Sequence, residues 1–345
     1  MMHARKPLRT RPLPRSERGF SLIELLVAMT VGLILVAGLV TLFANSSQTG
    51  NELEKSIRQL ESGRYGLELL TEDLSVAGYY GEVSMEGAAL KPAAPCGTGS
   101  ASLGWKNPTL APVTPFEAPF PVTGVAKAET TGLECLTNRK TGTPALVVRR
   151  LDTDRVSPGV ATNDRFHVQT SRCVSDPPDI RFVLSTNAAD FNLKDQNCTG
   201  INLVQRYISR IYFVATCNEC GVDTIPTLKR AELFTSSFVV SPLAEGVDDI
   251  AFEYGFDTDG NGGPDVYRLG LSGTAGAADN DWSNVVGVRV HLLSRSSEPT
   301  PGFQDGKTYS LGLAGTVGPV NDNFKRRVYT ATTRLNNIAG PREAP

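Results

Sequence analysis

Hydrophobic residues are concentrated in one long run near the N-terminus of the chain. From Phe20 to Ala44 the sequence contains a single charged residue, Glu24, and no proline. A run of about 25 residues is long enough to cross the apolar part of a bilayer as an α-helix. An isolated carboxylate at membrane depth costs about 2.5 kcal/mol or more, so Glu24 is expected to have a function.

The helical pattern continues beyond this run and becomes amphipathic. From Asn51 the chain is polar but keeps apolar residues near helical spacing, at Leu53, Ile57, Leu60, Leu67, Leu70 and Leu74. No proline occurs between Phe20 and Met85, and Ala77-Gly78 provides a helix stop. The pattern predicts one helix over about 20–77, apolar in its first half and able to pack on a sheet in its second half.

A period of two replaces the helical pattern in the rest of the chain. Near residue 250, the apolar residues Ile250, Phe252, Tyr254 and Phe256 alternate with small or polar residues. This alternation predicts antiparallel strands with one buried face. The amphipathic half of the helix is expected to pack on that face, which gives an α+β fold. Strand candidates are 145–149, 165–170, 180–185, 207–215, 249–256, 285–293 and 325–335. Residues 85–145, rich in proline and glycine, predict a long loop region.

Charge is divided unequally along the chain. Residues 1–19 contain six basic residues and one acid, a net charge of +5, which leaves −7 for the rest of a chain whose total is −2. Basic flanks stay on the cytoplasmic side of a membrane, so the acidic remainder is expected on the other side. A mildly acidic exterior without a basic stripe also argues against nucleic-acid binding.

The junction between the basic leader and the apolar run resembles the type IV prepilin processing site. It combines Gly19, Phe20, the apolar run and Glu24 in one short stretch. The resemblance implies that prepilin peptidase cuts between Gly19 and Phe20 and that Phe20 becomes N-methylated. It also implies that Glu24 neutralises the N-terminal amine of a neighbouring subunit during assembly. The alternative is an ordinary membrane anchor whose Glu24 lies near the lipid headgroups.

Further segments are similar to the PilW family of minor pilins. They are 62–74 (SGRYGLELLTEDL), 77–79, 225–230, 243–250, 252–255, 282–290 and 334–337. The match is good at both ends and poor over about 85–200. It implies a pilin-like fold, a long N-terminal helix packed on an antiparallel β-sheet head with loop-rich insertions. The implied domains are a leader (1–19), a transmembrane and filament-core helix (20–44), its amphipathic continuation (45–78) and a periplasmic head (79–345).

The resemblance also implies a function in assembly. A protein of this family would sit in the inner membrane as a single-pass protein and enter the pilus with other minor pilins and the major pilin. The expected role is in priming assembly and capping the tip, in support of motility or adhesion, with a tip adhesin as a further partner. Two alternatives remain open: a pseudopilin of a type II secretion system, and a membrane-anchored calcium-binding adhesin that never enters a filament.

Six cysteines lie in the exported part, and an even number in an oxidising compartment favours disulfides. Pairing of nearest neighbours is preferred because each bond closes a local loop: Cys96 with Cys135, Cys173 with Cys198, and Cys217 with Cys220. The last pair is a C-x-x-C motif, which also occurs in zinc and redox sites. A structural zinc site needs four ligands, and His167 and His291 have no ligand-like spacing to it.

An acidic segment near residue 257 is typical of loops that bind hard cations. Asp257, Asp259, Asn261 and Asp265 place oxygens at the spacing of a calcium loop, although Arg268 occupies the position of its last ligand. Three other acids are candidates to complete the shell: Glu253, Asp279 and Asp281. The alternative is a polar turn between two strands. No catalytic motif accompanies it, so the sequence favours a protein that is not an enzyme.

Overall fold

The computed structural model describes residues 19–83, 85, 88–110, 113–161, 163–271, 277 and 281–343. The chain divides into two compact units, Met1–Glu54 and Lys55–Pro345. One long helix, α1, extends over Leu22–Ser75. It is followed by a turn in which Gly78 has a φ of +75°, the left-handed conformation that glycine adopts readily at a helix end. The predicted helix over 20–77 is therefore confirmed.

The first unit contains the apolar part of α1. Its large hydrophobic side chains are exposed from Leu22 to Phe43, and Phe20 in front of the helix is 88% exposed. The most apolar window of the helix has a mean hydropathy of 2.6 and is not buried against protein. In length and composition, this segment is able to cross a membrane.

The larger sheet of the second unit has seven strands. Five of them are hydrogen-bonded in the order β11-β10-β9-β6-β5. The other two are β7, which pairs with β9, and β8, which pairs with β7. All these pairings are antiparallel. The strands are β5 (Val122–Val125), β6 (Ala145–Val156), β7 (His167–Thr170), β8 (Phe182–Ser185), β9 (Val204–Ala215), β10 (Thr227–Leu233) and β11 (Phe238–Glu245).

The second sheet has four antiparallel strands in the order β13-β12-β14-β17. They are β12 (Val247–Phe256), β13 (Val266–Arg268), β14 (Val285–Arg295) and β17 (Arg326–Arg334). The remaining pieces are short: β1 (Ala89–Lys91), β2 (Thr109–Leu110), β3 (Val113–Thr114), β4 (Glu117–Pro119), β15 (Tyr309–Ser310), β16 (Thr316–Val317) and the terminal helix α2 (Asn336–Glu343). The pair β1 and β4 is parallel.

The main core lies where the end of α1 meets both sheets. Leu70 and Leu74 are fully buried there, in one cluster with Leu228 of the larger sheet and with Phe252 and Leu292 of the smaller sheet. Burying a leucine side chain stabilises the fold by about 1.5–3 kcal/mol. The α+β class and the packing of the amphipathic helix on antiparallel sheet are therefore as predicted.

The expectation of one buried face for the strand near residue 250 is wrong. Ala251 and Glu253, on the opposite face from Phe252, are each only 1% exposed. A segment that contains β15, β16 and a 3-10 turn at Gly312–Ala314 covers that face, and its Tyr309 clusters with Ala251. The alternation in β12 therefore separates two interiors rather than an interior and the solvent.

All seven strand candidates correspond to strands of the structure, mostly with ends within three residues of the prediction. The strands β10 and β11 were not predicted. β11 carries Pro242 and lies at the edge of its sheet, where a missing N–H donor is tolerated. The loop-rich interpretation of 85–145 agrees with the very short strands found there.

Candidate functional sites

The start of α1 forms a capping box that the sequence analysis did not identify. The backbone N–H of Ser21 donates to Glu24 Oε2 at 3.0 Å, and the backbone N–H of Ile23 donates to Ser21 Oγ at 3.3 Å. These two bonds satisfy N–H groups that lack partners within the helix. The signal was present in the sequence, since Ser21 and Glu24 have the S-x-x-E spacing of this motif.

The capping box fixes the direction of the Glu24 carboxylate. Because it accepts from Ser21, the carboxylate points toward the N-terminal end of the helix, where Phe20 is exposed. Gly19 has open space around its backbone. The rest of the predicted leader, 1–18, lies outside the described residues. Cleavage and methylation at Gly19–Phe20 stay predictions, as does the role of Glu24 in assembly.

The structure brings the predicted acidic segment together as a loop after β12. Oxygens of Asp257, Asp259 and Asp265 lie within 4.8 Å of one another. Much of this arrangement is built from local hydrogen bonds: Asp265 Oδ2 accepts from Thr258 Oγ1 at 2.7 Å. Asn261 links Asp259 to the turn, because its Nδ2 donates to Asp259 Oδ2 at 2.8 Å.

Asp257 is the buried member of the loop and already has a cationic partner. Arg342 of α2 donates to its Oδ2 at 2.9 Å, and the N–H groups of Gly260 and Gly262 donate at 2.7 and 3.0 Å. Burial opposes ionisation, but these three donors outweigh it and lower the pKa of Asp257 to about 2. Three carboxylates against one guanidinium leave the loop net negative, and calcium binding stays a prediction.

The additional ligands considered for that loop are engaged elsewhere or not described. Glu253 is buried on the covered face of β12, where its Oε1 lies 3.0 Å from His291 Nε2 and accepts from the N–H of Leu313 at 2.7 Å. Asp281 accepts from the N–H of Ser283 at 2.8 Å. Asp279 lies outside the described residues.

A buried carboxylate on α1, Asp73, connects the helix to the larger sheet. Its Oδ1 accepts from Arg150 Nε and from Arg210 Nη1, both at 2.9 Å. Its Oδ2 accepts from the hydroxyl of Tyr212 at 2.8 Å. The sequence analysis did not single out this residue, although an acid three positions after Leu70 on the apolar side of an amphipathic helix was the available signal.

The six cysteines form three disulfides, in the nearest-neighbour pairing that the sequence order favoured: Cys96–Cys135, Cys173–Cys198 and Cys217–Cys220. In the chain-entropy model, the first bond, with a separation of 39 residues, stabilises the fold by about 4 kcal/mol. The third, with a separation of 3, stabilises it by about 2 kcal/mol. Stabilisation of the fold is therefore a weaker reason for the third disulfide than for the first.

Two segments of the chain match known families. Residues 211–337 match the family described as Type IV Pilus-assembly protein W, and residues 14–40 match the prokaryotic N-terminal methylation motif. A type IV-like pilin from Thermus thermophilus has 11% sequence identity and a TM-score of 0.36 over 81% of this chain and 97% of its own. That distant likeness adds nothing to the two family matches. A search of curated proteins found no significant match.

Proposed function

We propose that this chain, a type IV pilin-like minor pilin of the PilW family, acts in the complex that primes pilus assembly and caps the pilus tip. The methylation motif and the apolar N-terminal helix make it a membrane-anchored pilin that becomes part of the pilus. In this role it supports pilus-dependent motility or adhesion without a catalytic function of its own.

The observation that supports this role most directly is the position of Glu24. It is the one charge in the apolar part of α1, and its carboxylate is directed at the helix N-terminus. Removal of a leader after Gly19 would place a new amine on Phe20, only four residues from this carboxylate. In a filament core of low dielectric, an amine from a neighbouring subunit would gain strongly from such a partner.

The head carries features suited to contact with other subunits. The residues before 211 lie outside the PilW match and include two of the three disulfide-closed loops. Several apolar side chains on these loops are exposed, among them Val113 at 85% and Val174 at 100%. We infer that this part of the head contacts other minor pilins or a tip adhesin. Prepilin peptidase and the major pilin are the other expected partners.

The decisive experiment separates the charge of Glu24 from its capping bond. Glu24→Gln keeps an oxygen that accepts from Ser21 but removes the charge, whereas Ser21→Ala weakens the cap and keeps the charge. In cells that make pili and lack the native chain, we expect both variants to be processed and inserted into the membrane. Only Glu24→Gln should be depleted from sheared pili, and equal amounts of it and of wild type would refute the assembly role.

Two further experiments distinguish this role from a type II secretion pseudopilin and from a membrane-anchored adhesin. Deletion of this chain should reduce the number of surface pili and leave type II secretion intact, whereas a pseudopilin would show the reverse. Gly19→Val should block processing, which mass spectrometry would detect as a retained leader. A mature wild-type protein that still contains residues 1–19 would favour a membrane-anchored adhesin.

A further inference from the structure

The Cys217–Cys220 disulfide lies in the connection between β9 and β10, beside a lysine of β10. Cys220 is exposed, whereas Cys217 is only 6% exposed. Lys229 is itself buried, with 7% exposure. Its ammonium donates to the carbonyl oxygen of Asn218 at 2.9 Å and lies 3.4 Å from Cys220 Sγ.

In the part of the chain that the structure describes, the buried ammonium of Lys229 forms no salt bridge, and Asp223 is the carboxylate whose charge acts on it. Burial lowers the pKa of Lys229, and the charge of Asp223 opposes this shift without outweighing it. A buried charge is costly unless it is paired. A thiolate on Cys220 would place a negative charge in direct contact with the ammonium, at the position where the neutral disulfide sulfur now lies.

The turn that holds the two cysteines does not depend on the disulfide alone. The carboxylate of Asp223 accepts from three backbone N–H groups, those of Asn218 at 2.8 Å, Glu219 at 2.6 Å and Ile225 at 2.9 Å. These bonds would remain after the S–S bond is broken. The two thiols would therefore stay close to each other and to Lys229, so that the bond can form again.

We propose that Cys217–Cys220 is a reversible thiol–disulfide exchange site for a protein dithiol, with Lys229 stabilising the thiolate of Cys220. The other two disulfides are structural and do not take part. This inference does not depend on the pilus role, because it concerns the chemistry of one loop of the head.

The exchange is balanced in two displacements. A thiolate of the dithiol attacks Sγ of Cys220, the exposed residue of the pair, the S–S bond breaks, and its electron pair goes to Cys217 Sγ, which takes up a proton. The second thiol of the dithiol, as its thiolate, then attacks its own sulfur in the mixed disulfide and releases Cys220 as a thiolate. The dithiol is oxidised to a disulfide, the cysteine pair gains two electrons, and the remaining proton goes to solvent.

Lys229 acts on the second displacement, because a leaving thiolate of lower pKa departs faster. It also stabilises the reduced pair, which makes the disulfide a stronger oxidant. The acids around the turn, Asp223, Glu219 and Glu245, oppose a thiolate. Asp223 is engaged by backbone N–H groups, and Glu245 Oε1 accepts from Asn218 Nδ2 at 2.7 Å.

The test compares the three disulfides within one molecule. The full chain in detergent micelles is equilibrated with buffers of reduced and oxidised dithiothreitol, quenched with acid and alkylated, and each cysteine peptide is quantified by mass spectrometry. We expect Cys217–Cys220 to open at a ratio of reduced to oxidised dithiothreitol at least about tenfold lower than the other two pairs. Reduction of all three pairs at the same ratio would overturn the proposal.

Lys229→Met tests the role of the ammonium with a side chain of similar size. It should raise the ratio needed to open Cys217–Cys220 by about tenfold. Lys127→Met, at an exposed lysine of another loop, is the matched control and should leave the ratio unchanged. An unchanged midpoint in a folded Lys229→Met variant would remove Lys229 from the mechanism.

A second measurement does not require Lys229 to be replaced. In Cys217→Ser the thiol of Cys220 is free, and its rate of alkylation by iodoacetamide reports the fraction of thiolate. The midpoint of the pH profile should fall at least about one unit below the ordinary cysteine value of about 8.5. A midpoint at or above that value would show that no stabilised thiolate forms, and the proposal would fail.

Discussion

The carboxylate of Asp73 on α1 lies 2.9 Å from the guanidinium of Arg210 on β9. Asp73 is 4% exposed, and the same carboxylate also binds Arg150 and Tyr212. This pair fastens the end of the long helix to the larger sheet, while Leu70 and Leu74 supply the apolar contacts. The helix end is therefore positioned by one ionic network as well as by hydrophobic burial.

Asp73→Asn should destabilise the head strongly, because it leaves the largely buried guanidinium of Arg150 with only a neutral partner there and takes from Arg210 one of its two carboxylates, the other being that of Glu232. Breaking a buried pair by removing one charge costs about 3–5 kcal/mol. Urea unfolding of the full chain in detergent would measure the loss. The control is Glu72→Gln, an exposed acid on the same turn, which should change stability by less than about 0.5 kcal/mol. Equal effects of the two variants would contradict the role given to Asp73.

A second contact between the helix and a sheet depends on a missing side chain. A Cβ atom built on Gly63 would lie 2.3 Å from Cε2 of Tyr329 on β17. Gly63→Ala should therefore destabilise the fold by about 1–3 kcal/mol, although alanine favours a helix. Gly50→Ala is the matched control, because nothing lies within 4 Å of the Cβ position there.

The same contact makes a double-variant experiment informative. If the methyl group introduced by Gly63→Ala collides with the ring of Tyr329, then Gly63→Ala should cost little further stability in a protein that already carries Tyr329→Ala. Additive losses in the two single variants would mean that the two residues do not interact.

Asp257 gives the acidic loop a defined dependence on pH. Its pKa in the folded protein is about 2, below the ordinary value of about 3.9, so its bonds stabilise the fold above about pH 4. This contribution is lost as the pH falls through about 2. Arg342→Met should raise the pKa of Asp257 and shift acid unfolding, followed by circular dichroism, to higher pH.

The control for the pH experiment is Arg181→Met. This variant removes an exposed arginine that directly precedes β8, a strand of the larger sheet. It should leave the acid transition where it is in wild type. If Arg342→Met has the same acid transition as this control, the bond between Arg342 and Asp257 does not set the acid stability of the loop.

Calcium binding by the acidic loop has its own signature. A bound cation stabilises only the folded state, so the melting temperature should rise with calcium concentration. At 100 times the Kd, the free energy of unfolding should increase by about 2.7 kcal/mol. Magnesium should do less, because it demands octahedral geometry and gives up its waters reluctantly. Asp259→Asn should remove the increment without unfolding the head, since Asp259 is exposed. A melting temperature indifferent to calcium and to chelator would leave the segment as a turn.

The sequence by itself determined the long helix, its apolar and amphipathic halves, and most of the strands. These features depend on periodicity along the chain, which the local backbone geometry imposes. The N-terminal motif was equally visible, because Gly19, Phe20 and Glu24 are neighbours in sequence. The capping bond of Glu24 was also local, and its S-x-x-E signal was available to be read.

Only the tertiary structure decided which residues far apart in sequence meet. The partners of Asp73 lie 77, 137 and 139 positions away. The second covered face of β12 and the position of Lys229 beside Cys220 likewise depend on how strands and loops pack. A single sequence has no periodic signal for such contacts, because burial of a polar group is favourable only where a partner from another element completes it.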